Sequence, residues 1–94
     1  MNKPMFCVDF NEMLEPDLVL LSSKNTKNNS DGKLVNLIAG LQITIYENDV
    51  DEYGHPDKLV ATGVVEANHS TGWSAHARWC CRIDDSGIRH ESEL

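Results

Sequence analysis

From Leu41 to Glu47 the chain reads LQITIYE, so that Leu41, Ile43 and Ile45 face one way along an extended backbone and Gln42, Thr44 and Tyr46 the other. A period of two is the mark of a half-buried β-strand. A second alternation follows in WSAHARWCCRI. There Trp73, Ala75, Ala77, Trp79, Cys81 and Ile83 share one face and Ser74, His76, Arg78, Cys80 and Arg82 the other. Between these two lies LVATGVVEA, Leu59 to Ala67, a third strand in which Gly63 is expected to mark a bulge or bend. Met5 to Phe10 alternates over a shorter span and fits an edge strand. Asp17 to Leu21 is apolar enough for a buried one. Short strands at intervals of roughly 8 to 12 residues, punctuated by Gly, Asn, Asp and Pro, indicate an all-β fold. No helical stretch of ten residues and no internal repeat interrupts this pattern.

Ninety-four residues fit one domain with a modest core, spanning 1–94. Residues 22–33, SSKNTKNNSDGK, contain no apolar side chain and are expected to form an exposed, mobile polar loop. Asn11 to Pro16 combines acids with a proline that would end any helical turn. Asp84-Asp85-Ser86-Gly87 has the composition of a hairpin turn, returning as Ile88 to His90 before a polar tail at 91–94. The expected architecture is a small SH3-like barrel or a compact antiparallel barrel or sandwich of five to six strands.

Eight Lys and Arg stand against fifteen Asp and Glu, a formal charge of −7. Nucleic-acid affinity is dominated by phosphate contacts, so this balance argues against a general nucleic-acid binder. The charge is unevenly placed. Leu41 to Asn68 carries a local −5, with Lys58 its one cation, whereas Trp73 to His90, with Arg78, Arg82 and Arg89, is close to neutral. The three cysteines, Cys7, Cys80 and Cys81, are odd in number, and no apolar stretch near Met1 reads as a signal peptide. A reduced, cytoplasmic protein without a membrane segment is therefore expected. In that setting the triplets Asn28-Asn29-Ser30 and Asn68-His69-Ser70 carry no glycosylation meaning.

Three groups of residues invite a chemical reading. Asp49-Val50-Asp51-Glu52-Tyr53-Gly54 begins like a calcium loop but offers Tyr53 and Val60 where a fifth-position oxygen and a twelfth-position acid are needed, so a solvated acidic loop is expected. Asp85-Ser86-Gly87 resembles the Asp-Ser/Thr-Gly triplet of aspartic proteases. In that family most of the domain follows the triplet, whereas here seven residues follow Gly87, and a turn is expected. Cys80 and Cys81, being adjacent, point to opposite faces of a strand and cannot chelate one metal together. Cys81 fits a core position. Cys80, half-exposed beside His76, Arg78 and Arg82, is the thiol that a small thiol-dependent enzyme or redox sensor would use. No phosphate loop, nucleophile elbow or paired-histidine motif is present. No catalytic residue, metal or cofactor is therefore expected.

The order of a Tyr46-bearing strand, a long acidic loop with Tyr53, the strand Leu59 to Ala67, a loop, a Trp73-led strand, a glycine turn and a final strand resembles the SH3-like barrel family over about Leu41 to His90. In signalling SH3 domains an acidic loop and a Trp at these places carry the polyproline-binding aromatics. The Ala-Leu-Tyr-Asp-Tyr motif stands here as Ile43-Thr44-Ile45-Tyr46-Glu47, and the late Pro and Tyr of that groove are missing. The resulting expectation is a non-catalytic interaction module. A protein partner with basic or extended segments would be steered by Asp49, Asp51, Glu52 and Asp57 and anchored by Tyr46, Tyr53 or Trp73. A weak nucleic-acid-binding barrel using Arg78, Arg82, Arg89 and Trp73, and a small acidic inhibitor that masks a basic site, are the further alternatives.

Overall fold

The computed structural model describes residues 4–94, and the elements follow the alternation closely where one strand face meets water. In chain order they are β1 (Phe6–Cys7), β2 (Met13–Glu15), β3 (Leu18–Ser22), β4 (Thr26–Asn28), β5 (Leu34–Asn36), β6 (Gln42–Glu47), β7 (Leu59–Ala67), β8 (Trp79–Ile83) and β9 (Arg89–His90), with 3-10 turns at Gly72–Ser74 and Glu91–Glu93. The protein is all-β and compact. Its main sheet is curled, in the order β1-β6-β7-β8-β3-β2, with β9 on β7; β4 and β5 form a separate pair. The middle of the sheet is antiparallel, and β1 runs parallel to β6 at its edge, Phe6 opposite Ile45.

One face of the sheet buries Phe6, Val19, Leu21, Ile43, Ile45, Ala61, Val65, Cys81 and Ile83 in a single cluster, with Leu37 joining from the segment after β5. Gly63 is the third position of that face on β7. It sits in unbroken register with both neighbours, so no bulge occurs there. Its role is clearance: a Cβ at 63 would lie 2.2 Å from the Arg82 carbonyl oxygen and 2.8 Å from Cys81 Sγ. The backbone of β8 thus approaches β7 to a distance that only glycine allows.

Four expectations change. Trp73 to Arg78 is not part of a strand, because Gly72, at φ +79°, starts a 3-10 turn and the chain joins the sheet only at Trp79. Asn68 fixes that excursion: its Nδ2 donates to the Ser74 and Ala77 carbonyls, both at 2.8 Å. Cys80 is fully buried rather than half-exposed, packed with Leu18, Leu20 and Ala77 beneath Leu14. Ala77 from the excursion and Leu14 from β2 pack against the outer side chains Leu18, Leu20 and Cys80, so β3 and β8 are buried on both faces at Cys80, and the outer face opens only farther along, at Arg82. Residues 22–33 are largely exposed, as expected, but they hold β4 and its turn. Asn29 Oδ1 accepts from the Asp31 and Lys33 amides, and Val35 and Leu37 beyond the turn reach the core. Finally, Asp84 to Gly87 turns without reversing the chain. β8 pairs with Gly63–Ala67 and β9 with Leu59 and Val60, both antiparallel, so β9 continues along the same edge of β7 after an outward loop.

Candidate functional site: the acidic loop and its C-terminal support

The loop between β6 and β7 is built from its own carboxylates. Asp51 Oδ1 accepts from the Tyr53 and His55 amides, each at 2.9 Å, and the Gly54 amide donates to the Asp51 carbonyl at 3.0 Å. Aspartate at the first position of such a turn closes it locally, and Gly54, at φ +80°, supplies the left-handed backbone that the return needs. Val50 and Pro56 bridge across the loop, and the Asp57 amide donates to the Asp49 carbonyl at 2.9 Å. The tip therefore has a defined shape. It presents Tyr53 at 77% exposure and Val50 at 56%, beside the exposed Glu52. The Tyr53 and His55 rings lie 6.4 Å apart in a tilted arrangement.

The base of the loop is held by the C-terminal segment. Asp57, buried, accepts from the Ser92 amide at 2.9 Å and from Ser92 Oγ at 2.7 Å. These two bonds hold its carboxyl below the usual carboxylate range. Asp49 is lowered in the same direction, first by a bond from the Val50 amide and next by His90, whose Nε2 lies 3.2 Å from Asp49 Oδ2. The other His90 nitrogen is 3.4 Å from Glu93 Oε1, and the Glu91 amide donates to the Lys58 carbonyl at 2.7 Å. The 91–94 tail is thus exposed in its side chains but docked through its backbone, Ser92 and His90.

The seven residues expected at one binding surface are divided. Asp49 and Asp57 are engaged at the base of the loop, whereas Asp51 shapes it. Glu52 and Tyr53 reach solvent at the tip. Tyr46 is half-buried on β6 opposite Val60, and burial, followed by the neighbouring Cys7 thiol, raises its hydroxyl pKa. Trp73 is exposed but lies beyond Ala67, at the opposite end of β7 from Tyr53. Nine strand residues span roughly 30 Å, so no one groove contains both aromatics.

Trp73 instead borders a cleft of about 440 Å³ over the outer sheet face, with Leu14, Glu66 and Arg82 in its wall. Arg82 is engaged by carboxylates through four of its five N–H groups: it donates to both oxygens of Glu66, to Glu15 at 3.1 Å and to Asp17 at 2.9 Å. These bonds, Glu66 foremost, raise its already high pKa. A basic face of Arg78, Arg82 and Arg89 is therefore not formed, since Arg82 sits among three carboxylates. Burial raises the Cys80 thiol pKa and pushes that of Cys81 up to about 12. His76 Nδ1 lies 3.0 Å from the Trp73 carbonyl oxygen. Among the described residues no three His, Cys, Asp or Glu side chains converge as metal ligands, and no helix is long and apolar enough to cross a membrane.

The contacts that support the loop leave no local mark in the sequence. His90 and Ser92 lie 41 and 35 residues from their partners Asp49 and Asp57. The turn-forming tetrad Asp84–Gly87 pointed the wrong way, since a hairpin there would return the segment onto β8, whereas β9 pairs with β7. No family model, curated protein or solved structure matches the chain.

Proposed function

We propose that this protein is a non-catalytic interaction module whose docking element is the tip of the acidic loop. The observation that carries the reading is the presentation of Tyr53. A large aromatic, 77% exposed, stands on the same loop as the exposed Val50, and the backbone of that loop is already fixed by Asp51 and Gly54. Aromatic side chains of this kind supply most of the energy in protein interfaces, and prior ordering of the loop lowers the entropic cost of binding. Glu52, with Asp49, Asp51 and Glu47 behind it, gives the tip a negative field that favours a basic partner segment and speeds encounter. Trp73, at the far end of β7, is outside this element and is assigned to the cleft.

The narrower architecture, an SH3-like barrel over Leu41 to His90, is proposed with it. Its support is the consecutive antiparallel run β6-β7-β8, followed by β9 on β7. Selection of displayed peptides on the wild-type protein, counter-selected on a Tyr53→Ser, Val50→Ser variant, tests the function. Basic sequences that bind the first and fail on the second are expected. Equal enrichment on both proteins would contradict the proposal.

A further inference from the structure

β9 pairs with β7 through two residues only, Leu59 opposite His90 and Val60 opposite Arg89. So short a strand contributes little by itself. The segment is kept in place by polar contacts to the loop and its margin: Glu91 to the Lys58 carbonyl, Ser92 to Asp57, and His90 between two carboxylates. The last of these has a chemical requirement. Both ring nitrogens of His90 face carboxylate oxygens, Nε2 that of Asp49 at 3.2 Å and Nδ1 that of Glu93 at 3.4 Å. A neutral imidazole has one N–H and one bare nitrogen. Only the imidazolium donates on both sides.

We propose that Arg89–Leu94 is a protonation-dependent latch on the base of the acidic loop, closed while His90 is an imidazolium and loosened when that proton leaves. Without the proton, one ring nitrogen directs a lone pair at a carboxylate and the contact turns repulsive. The ionisable groups acting on His90 are Asp49 and Asp57 from the loop and Glu93 from its own turn; all three are acids and all favour the cation. The hydrogen bond with Asp49 is the strongest of these influences, and His90 is raised from its ordinary 6.5. Loosening releases the Glu91–Glu93 turn and the Asp49–Asp57 base, while Asp51 keeps the tip closed. Any consequence for partner binding rests on the reading of the loop as a docking element. The latch itself does not.

Two measurements on the intact protein test it without a partner. Nitrogen-15 spectra would follow both His90 ring nitrogens through a pH titration, while amide exchange at Glu91 and Ser92 is corrected for intrinsic chemistry. Both nitrogens are expected to carry protons at about pH 6, with a midpoint above the ordinary value. Protection at Glu91 and Ser92 should fall about two- to fivefold as pH rises through that midpoint, the factor an exposed ion pair supplies. In His90→Gln the corrected protection should not depend on pH over that range. A single protonated ring nitrogen at about pH 6, or wild-type protection equal on both sides of the midpoint, would overturn the proposal. If His90→Gln fails to fold, Glu93→Gln in the exposed turn serves. It should lower the His90 midpoint, and an unmoved midpoint would count against the latch. Failure of the docking reading would leave these results unchanged, and failure of the latch would leave peptide selection at Tyr53 unchanged.

Discussion

The two ends of β7 are held by different physics. In its middle the strand lies between β6, which pairs with it up to Val64, and β8, which pairs with it from Gly63 onward; its inward residues meet Ile43, Ile45 and Cys81, and its hold on the fold is apolar burial. Below Leu59 the chain passes into a loop secured by carboxylates, one serine, one histidine and a few backbone bonds. Burial is short-ranged, insensitive to salt and indifferent to moderate pH changes, whereas polar contacts at a wet surface respond to both. The difference separates stability from presentation: the body of the sheet keeps the fold, and the loop can be tuned or used without endangering it.

The strongest way to break this division is to cut into the body. Ile45 is fully buried at the centre of the sheet, and Ile45→Ala should cost about 4 kcal/mol, from lost burial and the cavity left behind. For a chain of this size that lowers Tm by roughly 15 °C or more, measured by thermal melting. A loss under about 1 kcal/mol would mean that the core is not where β6 places it. Gly63→Ala comes next. Its Cβ would meet a backbone carbonyl that cannot rotate away, so a loss of about 3 kcal/mol is expected, with β7 and β8 amides the first to lose protection.

The loop end should respond more weakly and more locally. Asp57→Asn removes the charge that accepts two bonds from Ser92. It is expected to lower Tm by only a few degrees while sharply reducing amide protection at Ser92. Acid should do the same. Asp57 has a folded pKa below its ordinary 3.8, so its contribution is present above that value and is lost as pH falls through the lower folded value. His90 has the opposite sign. Raised above 6.5 in the folded state, it contributes fully below 6.5 and loses that contribution as pH rises through its folded value. The loop base is thus most secure between about pH 4 and 6.5. The expected signature is a Tm profile whose acid slope is reduced in Asp57→Asn, Asp49 supplying the remainder, and whose upper slope is lost in His90→Gln. Tyr53→Ser, at the exposed tip, should change stability least, by under about 0.5 kcal/mol.

How far the sequence disclosed this arrangement depended on whether a strand kept one wet face. β6 and β7 were legible because Gln42, Thr44, Thr62 and Glu66 alternate with buried neighbours. β8 was legible only from Trp79 onward. The alternation appeared to continue back to Trp73 because Ala75 and Ala77 fall at even spacing, yet Ala77 packs on the outer face with Cys80 rather than in the inner core. The half-exposed Cys80 expected from that pattern is fully buried for the same reason. β4 was hidden by composition, since Thr26, Lys27 and Asn28 are ordered by pairing with Leu34 to Asn36 rather than by their own burial. Of the candidate site, the tip was readable from charge and turn residues. The support from His90 and Ser92 was not, because it joins residues far apart in sequence through a strand whose edge no local pattern specifies.

If the loop tip is the docking element proposed above, Tyr53 is displayed for binding and does little for the fold. Titration of a selected basic peptide into wild-type and Tyr53→Ser protein, with Tm measured on the same samples, puts that claim to the test. At least about tenfold weaker binding by the variant, with Tm nearly unchanged, is the predicted result. Equal affinities would contradict the account, and so would a large fall in Tm, which would make Tyr53 a structural residue.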